Sequence, residues 1–123
     1  IRATLDSIAY EVGDVLTAME ADAGIRLSAL NVDGGASANN YLMQTQADLT
    51  AAPVERPGCV ETTAAGAAYL AGLAVGFWKN LEQIKAIRKE DRLFTPELPE
   101  EERQARLEGW KKAVARTRGW AEN

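Results

Sequence analysis

The sequence contains no histidine, and that absence removes a great deal of chemistry. There can be no Ser–His or Cys–His nucleophile pair and no His-ligated metal site. Cysteine is nearly absent too. The single Cys59 allows neither an internal disulfide nor a Cys-x-x-Cys motif, so a reducing compartment, the cytoplasm, is the expected setting. Basic residues do not dominate: 14 Lys and Arg stand against 18 Asp and Glu, a net charge of −4, which argues against a nucleic-acid partner. No apolar run reaches the roughly 20 residues of a membrane helix, so no membrane partner is expected. The chain lacks an initial Met and a signal-peptide pattern, which predicts an excised piece without a targeting segment of its own. Internal repeats and low-complexity segments are also missing.

What is present fits one domain over residues 1–123. Apolar residues make up 46% and charged residues 26%, enough for a soluble fold with a real core. The stretch Leu30–Asn40 organises the rest. Ile25, Leu27, Leu30 and Val32 suit a short strand covered on both faces, closed by Asp33. Gly34 and Gly35 permit positive φ and leave no Cβ in the way of a ligand. Ser37 is a candidate N-cap for a helix running through Asp48. Free N–H groups at such a turn suit a phosphate, although a Gly-Gly turn also serves close packing alone.

Before this turn, Leu5, Ile8, Ala9, Val12, Val15, Leu16 and Met19 recur at helical spacing, and Gly24 marks the stop. Arg2 and Tyr10 read as surface or core-edge packing. After the turn, Leu42, Met43, Gln46 and Leu49 form the buried stripe of the second helix. Asn39 and Asn40 open that helix. Their amides can meet an adenine edge or a ribose hydroxyl, and equally can serve only the helix N-terminus. Pro53-Val54-Glu55-Arg56-Pro57 allows a short extended piece at a sheet edge, because proline lacks an N–H. Cys59 follows in a loop as a packing residue.

From Thr62 to Trp78 no residue is charged, and Gly66, Gly72 and Gly76 punctuate an alanine-rich surface. A central helix packed closely on several sides explains this run, with Thr62 or Thr63 as cap and Glu61 beside the dipole. Asn80 caps a short helix bearing Leu81, Ile84 and Ile87. Lys85, Arg88, Lys89, Glu90, Asp91 and Arg92 read as a solvated face of mixed charge, with Phe94 anchoring an extended segment. A last helix starts at Pro99, with Glu100, Glu101 and Glu102 at one end and Lys111, Lys112, Arg116 and Arg118 at the other, a layout that complements the dipole. Leu107, Trp110 and Val114 form its apolar stripe, and Trp110 and Trp120 read as packing residues.

Three segments carry a resemblance to a known family. Val32-Asp33-Gly34-Gly35-Ala36 followed by Asn39-Asn40-Tyr41-Leu42-Met43-Gln44 resembles the nucleotide-binding segment of the FGGY carbohydrate kinases. The run Glu61–Trp78 and the sequence Gly109-Trp110-Lys111-Lys112-Ala113-Val114 look like the same family. The resemblance covers essentially the whole chain but only the last quarter or so of a complete kinase. It implies an α/β fold, the helix-rich C-terminal portion of an actin-like (ribonuclease H-like) ATPase nucleotide-binding domain with a small partial sheet.

The resemblance further implies ATP or ADP with Mg²⁺ as cofactors of the parent enzyme, and phosphoryl transfer to glycerol, with another sugar as the alternative acceptor. Gly35 would present its backbone N–H to phosphate, and Asn39, four residues on, would contact the adenosine portion. No catalytic or metal-binding residue is assigned to this chain. The family's base is an aspartate expected upstream of it, and Asp33 should not be mistaken for that base. In some family members the start of the last helix binds a regulatory partner, and there Arg103 is the residue to watch. The acidic Pro99–Glu102 stretch departs from that pattern. A structural or interaction module without nucleotide binding stays open, as does a homo-oligomer built on exposed apolar surface.

Overall fold

A computed structural model describes residues 1–59, 61–87 and 90–119. Trp120, Arg88 and Lys89, named above, lie outside them. Helix α1 spans Arg2–Ala23 and ends at Gly24, whose φ of 66° gives the left-handed stop that the sequence predicts. Strand β1 is Leu30–Asn31, a single 3-10 turn covers Gly35–Ala38, and α2 runs Asn40–Thr50. Then come β2 (Val54–Pro57), α3 (Thr62–Ala74), α4 (Leu81–Ile87), β3 (Glu90–Phe94) and α5 (Glu100–Thr117).

The sheet has the order β1-β2-β3. β1 runs parallel to β2, with the turn and α2 forming the crossover, and β3 returns antiparallel. β2 is therefore the middle strand, not the edge piece its prolines predict. The reason is positional. Pro53 precedes the strand and Pro57 ends it at a register irregularity, so Val54, Glu55 and Arg56 keep their N–H groups for pairing. The charged run supplies the third strand, and Phe94 at its end is only 2% exposed.

The core gathers Ala9, Leu42, Met43, Ala47, Leu49, Val54 and Phe94, with Tyr10, Leu30, Val32 and Leu107 packed against it. All four apolar-stripe positions of α2 are buried, Gln46 included, whose amide donates to the Ala9 carbonyl at 3.3 Å. Ala9 lets α1 approach α2 closely. It is the one buried residue of α1, whereas Ile8, Val15 and Met19 are exposed. Among the described residues, only one face of that helix finds a partner.

β1 is likewise shorter and more open than expected: two residues long, half-buried at Leu30 and exposed at Asn31, with Ile25 and Leu27 outside it. The central burial expected for α3 is also absent. Gly72 is its only buried residue, and Leu70 is 70% exposed. An alanine-glycine helix has little apolar area to recruit neighbours, and among the described residues no wall covers it. Its end is tightly folded nonetheless. Trp78 packs onto Gly72 so closely that a Cβ there would lie 2.1 Å from the indole.

Three other local expectations are met, at α4, at the acidic start of α5 and at Trp110, whereas Cys59, expected as a packing residue, is exposed. Asn80 Oδ1 accepts from the Gln83 N–H at 3.0 Å, capping α4. Glu100, Glu101 and Glu102 occupy the first turn of α5, and Arg103 is ion-paired to Glu100 at 2.6 Å. Trp110 stacks on Tyr10 with centroids 5.1 Å apart and donates to Asp14 at 2.8 Å, which ties α5 to α1. Asp48 of α2 accepts the N–H groups of Glu97 and Leu98, holding the segment that leads into α5.

Candidate functional site

The site is built where β1 gives way to α2. Beyond Asn31 the chain keeps one more sheet bond, Val32 N–H to the Glu55 carbonyl at 3.1 Å, and then leaves the sheet. Gly34 takes φ 78° and ψ 171°, a region that side chains strongly disfavour. Gly35 does not share that conformation. The two glycines thus differ: Gly34 is required by the backbone, while a Cβ on Gly35 would meet nothing within 4 Å. If glycine is required at Gly35, the requirement comes from something that approaches it from outside.

Gly35 begins the 3-10 turn. Its first internal bond is the Ser37 N–H to the Gly34 carbonyl at 3.1 Å, reinforced by the Ser37 hydroxyl donating to the same oxygen at 2.7 Å. Ser37 is 2% exposed, and it locks the turn rather than capping α2. The cap is Asn39, whose Oδ1 accepts the Leu42 N–H at 3.2 Å. The helix start therefore moves two residues on from the expected position, because the chain tightens to 3-10 geometry first. The N–H groups of Gly35 and Ala36 lead the turn without a hydrogen-bond partner among the described residues. The Asn39 side-chain NH₂ is likewise uncommitted there.

Two supports went unread in the sequence. The Thr62 hydroxyl, at the first position of α3, donates to the Asp33 carboxylate. Thr62 therefore tethers α3 to the turn instead of capping its own helix, and Glu61 sits at the N-cap without a side-chain cap bond. Arg56 of β2 reaches the far end of the turn, donating to the carbonyls of Ser37 and Ala38 and to Asn40 Oδ1. An arginine between two prolines in a strand was the available clue. The two candidate ligand residues, Gly35 and Asn39, thus open the turn and follow its end, between these supports.

Beside Thr62 a groove of about 680 Å³ opens between α3 and α4, lined mainly by apolar side chains including Tyr69, Leu73 and Ile84, with Cys59 at its rim. Among the described residues no group of three His, Cys, Asp or Glu could hold a metal ion, and no helix is long and apolar enough to cross a membrane.

This arrangement has counterparts among solved structures. Glycerol kinase from Plasmodium falciparum, determined with ADP, matches with a TM-score of 0.86 and 34% identity, over 98% of this chain and 24% of that one. Xylulose kinase from Lactobacillus acidophilus matches with a TM-score of 0.66 and 20% identity, a likeness of fold alone, over 95% of this chain and 23% of that one. These kinases have the actin-like ATPase fold, and the chain is a helix-rich portion of that fold with a small partial sheet.

The chain belongs to the FGGY family of carbohydrate kinases: residues 1–75 match the model of that family's C-terminal domain. Among curated relatives, glycerol kinase from Caldanaerobacter subterraneus is 62% identical over 122 residues, 99% of this chain and 24% of its own length. Glycerol kinase 2 from Pseudomonas aeruginosa is 62% identical over 120 residues, 98% of this chain and 24% of its own length. The chain spans about a quarter of the length of the curated relatives it matches.

Proposed function

We propose that residues 1–123 form a single-domain nucleotide-binding portion of a glycerol kinase, and that the whole enzyme phosphorylates glycerol with ATP to glycerol 3-phosphate in the cytoplasm. The observation that carries this reading is the pair of N–H groups at Gly35 and Ala36, unpartnered among the described residues, in a chain matching glycerol kinases over nearly all its length. Two adjacent backbone donors ahead of a helix N-terminus suit a phosphate oxygen. At Gly35 no side chain stands between that oxygen and the backbone. Asn39 spends its oxygen on the α2 cap and keeps its NH₂ for an acceptor on the adenosine portion.

Phosphoryl transfer of this kind depends on positioning and charge neutralisation, and Mg²⁺ would supply the latter when bound with the nucleotide. Mg²⁺ usually takes one or two carboxylates plus phosphates and waters. Near the turn the Asp33 carboxylate accepts the Thr62 hydroxyl. The part of this chain in the reaction is to bind and orient nucleotide. The base and the glycerol site belong to the remaining three quarters of the enzyme.

ADP titration of the full-length kinase, followed by amide chemical shifts at Gly35 and Asn39, tests the reading. Shifts at both support it, and saturable ADP binding that leaves both unmoved refutes the site. The 123-residue chain by itself should show no glycerol-dependent ATP consumption above a mock preparation, and measurable turnover would overturn the division of labour. A second reading draws on Asn39: its cap bond serves the α2 N-terminus, and the chain is a structural or interaction module without a nucleotide. On that reading ADP does not bind.

A further inference from the structure

Arg56 belongs to the middle strand, yet its guanidinium serves the turn. Nη1 lies 3.0 Å from the Ser37 carbonyl, 3.4 Å from the Ala38 carbonyl and 2.8 Å from Asn40 Oδ1. These three acceptors bracket Asn39. Carbonyls at the C-terminal end of a 3-10 turn lack donors within the turn, and a nearby cation satisfies them. The guanidinium also sits 5.3 Å from the Phe94 ring centroid. Phe94 is part of the core, so the arginine is held by a fixed element on one side and holds the turn on the other.

The turn is thus fastened at both ends by different groups. Asp33 and Thr62 hold the N-terminal side, and Arg56 holds the C-terminal side. With both ends set, the directions of the Gly35 and Ala36 N–H groups and of the Asn39 side chain are fixed before any ligand arrives. A planar guanidinium can satisfy several acceptors in one geometry, whereas an ammonium is a point charge on a flexible stem.

We propose that Arg56 is a positioning residue for the nucleotide: it pre-sets the turn from behind, and ATP affinity depends on it through the turn and not through charge alone. This rests on the nucleotide reading above. In the full-length kinase, Arg56→Ala should raise the apparent KM for ATP roughly tenfold, the equivalent of ~1.4 kcal/mol, and leave that for glycerol near wild type. Carbonyl resonances of Ser37 and Ala38 should move in the nucleotide-free protein. Arg56→Lys keeps the charge but loses the planar guanidinium that rests beside the Phe94 ring, so it should recover only part of the affinity. Asn40→Ala removes one acceptor without touching the arginine and should give a smaller rise in the same constant, which keeps the test open if Arg56→Ala fails to fold.

Full recovery in Arg56→Lys would overturn the clamp in favour of simple charge. Equal rises in both Michaelis constants with a falling Tm would reduce Arg56 to a structural residue. A wild type that binds ADP beside an Arg56→Ala that binds it equally well overturns this proposal alone. A wild type that binds no ADP overturns the nucleotide reading and this proposal with it.

Discussion

Gly35→Ala should pull stability and nucleotide affinity in opposite directions. Gly35 does not use positive φ, and a methyl group there meets no atom within 4 Å. Replacing a glycine by alanine at a compatible conformation stabilises a protein by about 0.4–1 kcal/mol, because the unfolded chain loses freedom. Unfolding should therefore move slightly upward or not at all. Affinity should fall, since the new methyl group stands where a phosphate oxygen must approach the N–H. A hydrogen bond to a charged group is worth about 1.5–3 kcal/mol, which corresponds to roughly a ten- to hundredfold rise in the apparent KM for ATP.

The neighbouring residue provides the contrast. Gly34→Ala forces a side chain into the φ 78°, ψ 171° conformation, at a cost of about 1–3 kcal/mol, so it should lower Tm whatever the ligand does. The assay is thermal unfolding of both variants of the full-length kinase beside their Michaelis constants for ATP and glycerol, each with the other substrate saturating. A stable Gly35→Ala enzyme with a wild-type constant for ATP would refute the phosphate role of the turn. A Gly35→Ala enzyme that loses stability would refute the claim that its Cβ has open space.

Three further outcomes follow from the packing. Gly72→Ala puts a methyl group 2.1 Å from the Trp78 ring, so it should cost about 1–3 kcal/mol and change the tryptophan emission; an unchanged spectrum would show that the indole does not rest there. Burial raises the Tyr10 phenol above its ordinary value of about 10. A raised folded pKa gives stability that is full below the unfolded pKa and is lost as pH rises through the folded one, so tyrosinate absorbance and unfolding should both report loss above pH ~10. The isolated chain exposes Leu70, Val75 and Phe77 around and beyond α3 and should self-associate; light scattering that finds a clean monomer at high concentration, with no binding of a hydrophobic dye, would count against it.

The local devices were legible because each is written within a few residues. Gly24 stops α1, Asn80 caps α4, and the spacing of Leu42, Met43, Gln46 and Leu49 gives the buried face of α2. What escaped depends on partners distant in sequence. Whether Val54–Pro57 lies at an edge or in the middle is decided by β3, some forty residues later, whose charged residues mask its extended character. The apolar spacing of α1 and α3 predicts a buried face but not what lies opposite it, and among the described residues little of those faces is buried.

The turn itself combines both cases. Its two glycines look interchangeable in the sequence, and a backbone was needed to separate the one that shapes the turn from the one that leaves room beside it. Its supports, Thr62 on Asp33 and Arg56 on Ser37 and Asn40, span from 16 to 29 residues, which no local pattern encodes. Such distant supports have a functional consequence. The turn is held by α3 at one end and by the middle strand at the other, so on the proposed nucleotide reading the donors at Gly35 and Ala36 would be presented by the fold rather than arranged by the ligand. Preorganised donors lose little freedom on binding, and that is where a backbone site without a charged residue of its own can gain affinity for phosphate.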